Sequence, residues 1–107
     1  MVRGVVIVAL VWGVAACSGG ADRGGSGLAG GELFLRHCSG CHPEGGNSKY
    51  PQKSLDRFTL AANGIHTAED IVATMRNPGQ GMTRFDRQTI GDADARKIAD
   101  YIMATFR

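Results

Sequence analysis

Neither sign of charge dominates this chain: twelve Lys and Arg stand against ten Asp and Glu over 107 residues, a formal net charge of +2. A nucleic-acid binder gathers a basic excess on one face, and this composition leaves little to gather. Cysteine is scarce as well, at three, an odd number that cannot close into disulfides without a remainder. No stretch alternates apolar and polar residues over more than a few positions, which argues against a β-sheet. Nor does any apolar run reach the roughly 20 residues that a helix needs to cross a bilayer core of about 30 Å. The longest, Val5 to Ala16, has twelve. What is left is one small domain at most. A core of that size usually needs a disulfide, a metal or a cofactor to be comfortably stable.

Arg3 ahead of the Val5 to Ala16 run fits the pattern of an export signal. The run closes in Val14-Ala15-Ala16-Cys17, which resembles the lipobox of bacterial lipoproteins. That resemblance implies that the signal, residues 1–16, is cut before Cys17, that the Cys17 thiol is lipidated and the new amine acylated. The protein would then be anchored to a bacterial membrane on the periplasmic side. Ser18 in place of Asp after the cysteine resembles an outer-membrane address. An ordinary export signal with an incidental cysteine is the competing reading. From Ser18 to Gly31 seven of fourteen residues are Gly, and Leu28 is the one large apolar side chain. Such a tract buries too little apolar surface to offset its ordering entropy. Residues 17–31 therefore read as a lipidated cysteine and flexible tether, and residues 32–107 as the folded domain.

Helical periodicity runs through that domain. Glu32 to Cys38 is good helix-forming sequence, with Phe34, Cys38 and Cys41 at spacings that share one face. A second short helix is expected from Ser54 as cap through Leu55, Phe58 and Ala62, stopped by Asn63-Gly64. Thr67 and Asp70 resemble a capping box for a helix with Ile71, Val72 and Met75 on its apolar side, ended by Asn77-Pro78-Gly79. The last helix starts near Asp92 or Asp94 and carries Ala95, Ile98, Ile102 and Phe106 on one stripe. The expected fold is all-α, about four short helices, with long loops at 43–53 and 77–91. Loops of that length in a small domain are usually functional or wrapped round something.

Cys38-Ser39-Gly40-Cys41-His42 is the C-x-x-C-H pattern of covalent haem attachment. Two cysteines three apart on a helix end can form thioethers with both vinyl groups of one porphyrin, and the next residue, His42, falls beneath the iron as proximal ligand. Its second ring nitrogen then needs an acceptor, best supplied by a backbone carbonyl in the loop from Pro43. A thioredoxin-like dithiol would want a strand before the motif. Half of a zinc site would want a second Cys or His pair, and His37 and His66 have no such spacing.

From about Gly30 onward the chain resembles the class I c-type cytochromes, nearest to the small cytochrome c6 and c553 group. The likeness is carried by Gly30, Phe34, Cys38, Cys41 and His42, by Gly45-Gly46-Asn47, by Lys53-Ser54-Leu55, by Gly81-Met82-Thr83-Arg84-Phe85 and by Ile98-Ala99-Asp100-Tyr101-Ile102. Thr83 departs from it, standing where that group has Pro, so one fixed dihedral of the methionine loop is lost. The resemblance implies right-angle packing of the first and last helices through Gly30, Phe34, Ile98 and Tyr101, around one covalent haem c.

The sixth ligand must be a soft or imidazole side chain. Met82, in a Gly-rich loop after a helix stop, is the expected one. Met75 and Met103 read as packing residues, His66 leaves a bis-His site open, and His37 reads as solvated. Together these features imply a monohaem one-electron carrier that meets redox partner proteins, and a monomer. The alternative is a haem-based sensor or small-ligand binder in which Met82 dissociates, a reading kept open by Thr83. A haem enzyme is disfavoured, since no distal His-Arg pair is visible. Lys49, Lys53 and Arg57, with Arg84 and Arg87, read as solvated surface of mixed sign, a basic docking rim being the rival reading.

Overall fold

A computed structural model describes residues 25–107. Cys17, the signal expected at 1–16 and the start of the tether lie outside the described residues. Within them the chain forms four α-helices, α1 (Gly30–His37), α2 (Arg57–Ala62), α3 (Ala68–Arg76) and α4 (Asp92–Thr105), with short 3-10 turns at Pro43–Gly45 and Pro51–Lys53. None of the described helices is long and apolar enough to cross a membrane.

α1 carries Glu32 in its first turn and Arg36 and His37 in its last, an order that suits the helix dipole. It starts two residues before the expected Glu32 and ends at His37, so Cys38 is its C-cap rather than part of its body. Leu33 and Phe34 point inward and are buried. α4 meets them with Ala95, Ile98, Ala99 and Ile102, all buried. Gly30 lies directly against Lys97 and Tyr101, and the Phe34 ring sits 5.5 Å from that of Tyr101 and 5.2 Å from that of Phe106. α1 and α4 therefore pack through the residues that the sequence singled out, and α3 packs on the other flank of α4.

The chain just before α1 is also held. The Ser26 amide donates to both carboxylate oxygens of Asp94, at 3.1 and 3.2 Å. Leu28 packs on the core, and its carbonyl accepts from the Lys97 ammonium. Residues 25–31, grouped with the tether on composition alone, are thus seated on α4.

α2 differs from expectation at its start and on its faces. Ser54 does not cap it: the Ser54 hydroxyl donates instead to the Pro51 carbonyl, at 2.8 Å, within its own turn. Asp56 takes the cap, accepting from the Thr59 amide at 2.9 Å. The register shifts with it, so Leu60 is the buried residue, while Phe58 is 86% exposed and Ala62 is exposed. α3 has the full capping box, Thr67 accepting from the Asp70 amide and Asp70 accepting from that of Thr67. Ile71 and Met75 complete the core between α3 and α4.

Candidate haem site

The cysteine motif is a turn appended to α1. The Cys38 and Ser39 amides both donate to the Phe34 carbonyl, and the His42 amide donates to that of Cys38 at 2.8 Å. The chain therefore makes one further helical turn, which sets Cys38 and Cys41 on the same side with His42 directly after them. Neither cysteine is in a disulfide. Cys38 is part-buried, and desolvation, with a smaller contribution from neighbouring Cys41, pushes its thiol up to about 11.

His42 is 8% exposed. Its Nδ1 lies 2.7 Å from the Gly46 carbonyl oxygen. A carbonyl can only accept, so Nδ1 carries the proton and Nε2 is left as the ring atom able to bind a metal. The turn that brings Gly46 back is made by two residues in the left-handed region, Glu44 at φ 53° and Gly45 at φ 80°. Gly45 is further tied by its amide to the His42 carbonyl and by its carbonyl to the Leu55 amide. The acceptor expected in the loop from Pro43 is therefore present, built by a turn whose purpose the sequence alone does not show.

The donor set fits a haem of the c type. An imidazole whose Nδ1 is committed to a carbonyl follows two cysteines outside any disulfide, and several apolar side chains packed against the core, Leu55, Ile65, Val72, Met82 and Phe85, remain only partly buried. Among the described residues no three His, Cys, Asp or Glu side chains gather as ligands for a bare metal ion.

Met82 lies in the loop between α3 and α4, partly buried against the core. The other candidates sit elsewhere. Met75 is 3% exposed inside the core, Met103 lies on α4, partly buried against the core, and His66 is exposed beside the start of α3, its amide bonded to Asp70. His37 is half-buried with its ring edge-on to Phe85 at 6.3 Å, so it is less exposed than a solvated side chain would be.

The methionine loop is fixed from both ends, by residues that sequence reasoning did not assign to it. Beyond Met82, the Phe85 amide donates to the Met75 carbonyl at 2.9 Å. Arg76 spreads its guanidinium over the same segment, Nη1 donating to the Phe85 and Ile90 carbonyls and Nη2 to Asp92. Before Met82, the Lys53 ammonium donates to the Gln80 carbonyl at 2.8 Å. Gly81 adopts φ 90°, and a Cβ there would stand 2.5 Å from Cε2 of Tyr50.

A small all-helical fold with a Cys-x-x-Cys-His turn after its first helix defines a c-type cytochrome. The chain belongs to the cytochrome c family and carries one covalently bound haem c. Residues 25–102 match the family model described as "Cytochrome C oxidase, cbb3-type, subunit III". The chain is 37% identical over 78 residues to cytochrome c6 of Cyanidioschyzon merolae, covering 72% of this chain and 73% of that one. To cytochrome c6 of Leptolyngbya boryana it is 35% identical over 75 residues, covering 70% of this chain and 87% of that one. Among solved structures it is similar to OmcF, outer membrane cytochrome F from Geobacter sulfurreducens, with 52% identity and a TM-score of 0.72. That match covers 74% of this chain and all of the other.

Proposed function

We propose that this cytochrome is a monohaem one-electron carrier in which Cys38 and Cys41 form the thioethers, His42 is the proximal ligand and Met82 the sixth. The observation that carries the reading is the Nδ1 contact of His42 with Gly46, which leaves Nε2 as the metal-binding nitrogen. Haem c, when bound, supplies a one-electron couple between ferric and ferrous iron. The protein supplies the rest. His42 is aimed by a carbonyl that fixes its ring orientation, and the apolar side chains around the core edge exclude water from the macrocycle. Met82, in a loop pinned on both sides, needs little rearrangement between the two oxidation states. The redox partners are other proteins, met through small and short-lived contacts below about 1,200 Å², and the carrier itself works as a monomer.

Met82→Ala should abolish the sulfur-to-iron charge-transfer band of the ferric holoprotein and lower its reduction potential. An unchanged band would move the assignment to another side chain. Tight carbon monoxide binding by the ferrous wild type would instead favour a sensor or ligand binder with a labile methionine.

In the cell, the proposal places the mature protein at a bacterial membrane, exported and held by an acylated Cys17, with the outer membrane as destination. The support is the sequence from Val14 to Ser18. Two or three acyl chains anchor stably where one does not, each buried methylene adding about 0.8 kcal/mol. Mass spectrometry of the N-terminal peptide with cell fractionation tests it. A soluble periplasmic protein with unmodified Cys17 would overturn the anchor and leave the carrier assignment standing.

A further inference from the structure

The turn around Tyr50 is built before it reaches the methionine loop. The Asn47 carboxamide oxygen accepts from the amides of Lys49 and Tyr50, at 3.0 and 2.7 Å, and the turn then closes over Pro51–Lys53. From there the Lys53 side chain crosses the Tyr50 ring, its ammonium 5.4 Å from the ring centroid, and ends on the Gln80 carbonyl. The same ring lies against Gly81, the residue next to Met82. Two successive positions ahead of Met82 are therefore held from one turn, by a charged hydrogen bond and by close packing.

We propose that Lys53 and Tyr50 are positioning residues for Met82, a strap from the Tyr50 turn that holds the residues before the ligand and so opposes its release. The proposal rests on Met82 being the sixth ligand. With Phe85 bonded to Met75 on the far side, the strap leaves only residues 82–84 between the two anchors. Without it the unanchored stretch runs back to the end of α3, and the states in which the methionine has swung away gain chain entropy. The strap acts on the position that Thr83, for want of a proline ring, leaves less restrained.

The test is imidazole binding to the ferric holoprotein, because imidazole can occupy the iron only when the methionine has left. Lys53→Met keeps the side-chain stem and removes the donor; it should raise imidazole affinity about fivefold, the size expected when one solvent-exposed hydrogen bond no longer opposes opening. Lys53→Arg keeps a donor and should stay within about twofold of wild type. Lys49→Met removes an equal charge over the same ring, at 5.5 Å, without touching Gln80, and should also leave affinity within about twofold. Tyr50→Ala should loosen the loop in the same direction as Lys53→Met.

Wild-type affinity in both Lys53→Met and Tyr50→Ala would overturn the strap. So would an equal rise in Lys49→Met, which would assign the effect to net charge. Should Tyr50→Ala fail to fold, Lys53→Met decides alone, since Lys53 is exposed. The Met82→Ala spectrum separates the two levels. A surviving charge-transfer band there would remove the ligand assignment and the strap together, whereas a lost band with unresponsive Lys53 variants would remove the strap only.

Discussion

Phe106, the C-cap of α4, presses its ring against Gly45 so closely that a side chain at position 45 would overlap it. Gly45 also needs its left-handed φ of 80°. Gly45→Ala should therefore lower stability by about 2 to 3 kcal/mol, partly from overpacking and partly from backbone strain. In a Phe106→Ala background the steric part disappears and the strain remains. A double-mutant cycle by denaturant unfolding should show the glycine substitution costing less there than in the wild type.

Arg76 joins the end of α3 to the segment that follows the methionine loop, and its side chain is 15% exposed. Arg76→Met should cost about 2 kcal/mol, because the Phe85 and Ile90 carbonyls and Asp92 lose a donor that reached all three. Arg76→Lys should recover only part of this, as a single ammonium cannot reproduce a planar fork. Chemical denaturation of the three proteins checks the order wild type, Lys, Met.

Acid should weaken the fold through its capping carboxylates. Asp70 is held below its usual 3.8 chiefly by the His66 amide, and Asp56 chiefly by that of Thr59. A carboxylate whose folded pKa is depressed contributes stability that is fully present above its unfolded pKa and is lost as pH falls through the folded value. Asp70→Asn should accordingly melt below the wild type at pH 6, and the two melting curves should converge as pH drops below about 4. Parallel curves down to pH 2 would contradict it.

Cys38→Ser or Cys41→Ser should leave the domain poorly folded, because the described chain has a small core with part-exposed apolar residues at its edge. Circular dichroism and thermal unfolding of the variants would show lost helicity and no cooperative transition; a sharp transition would mean that the polypeptide core is self-sufficient.

Much of this architecture is legible in the sequence, and the parts that are not share a cause. The Thr67 and Asp70 box reads directly, since both halves of a cap lie within one turn. The apolar stripe of α4 reads equally well, because Ala95, Ile98 and Ile102 repeat at helical spacing over a long helix. α2 is only six residues long, too short for periodicity to fix a face, so the spacing of Leu55, Phe58 and Ala62 suggests one apolar side although Phe58 lies out. Ser54 reads as a cap because its competing bond to Pro51 depends on a 3-10 turn that the sequence does not announce. In the haem site, the motif spacing shows the cysteines and His42 together with the need for a carbonyl acceptor. That Glu44 takes a left-handed conformation to deliver Gly46 is visible only in the structure. Lys53 and Arg76 were equally hidden. Each holds the methionine loop through backbone carbonyls, which carry no residue-type signature.

The pairing of α1 with α4 also sets an order of events for the folding chain. The helix that presents the cysteines finds its packing partner at the opposite end of the domain, with Phe34 waiting for Tyr101 and Phe106. Contacts so far apart in sequence cost loop-closure entropy and form late. Until the end of α4 is in place, Phe34 lacks the two rings it packs against. A chain truncated before Tyr101 would therefore keep the Cys-x-x-Cys-His turn but leave Phe34 without either of its ring partners, and α1 would lose the contacts that hold it in place.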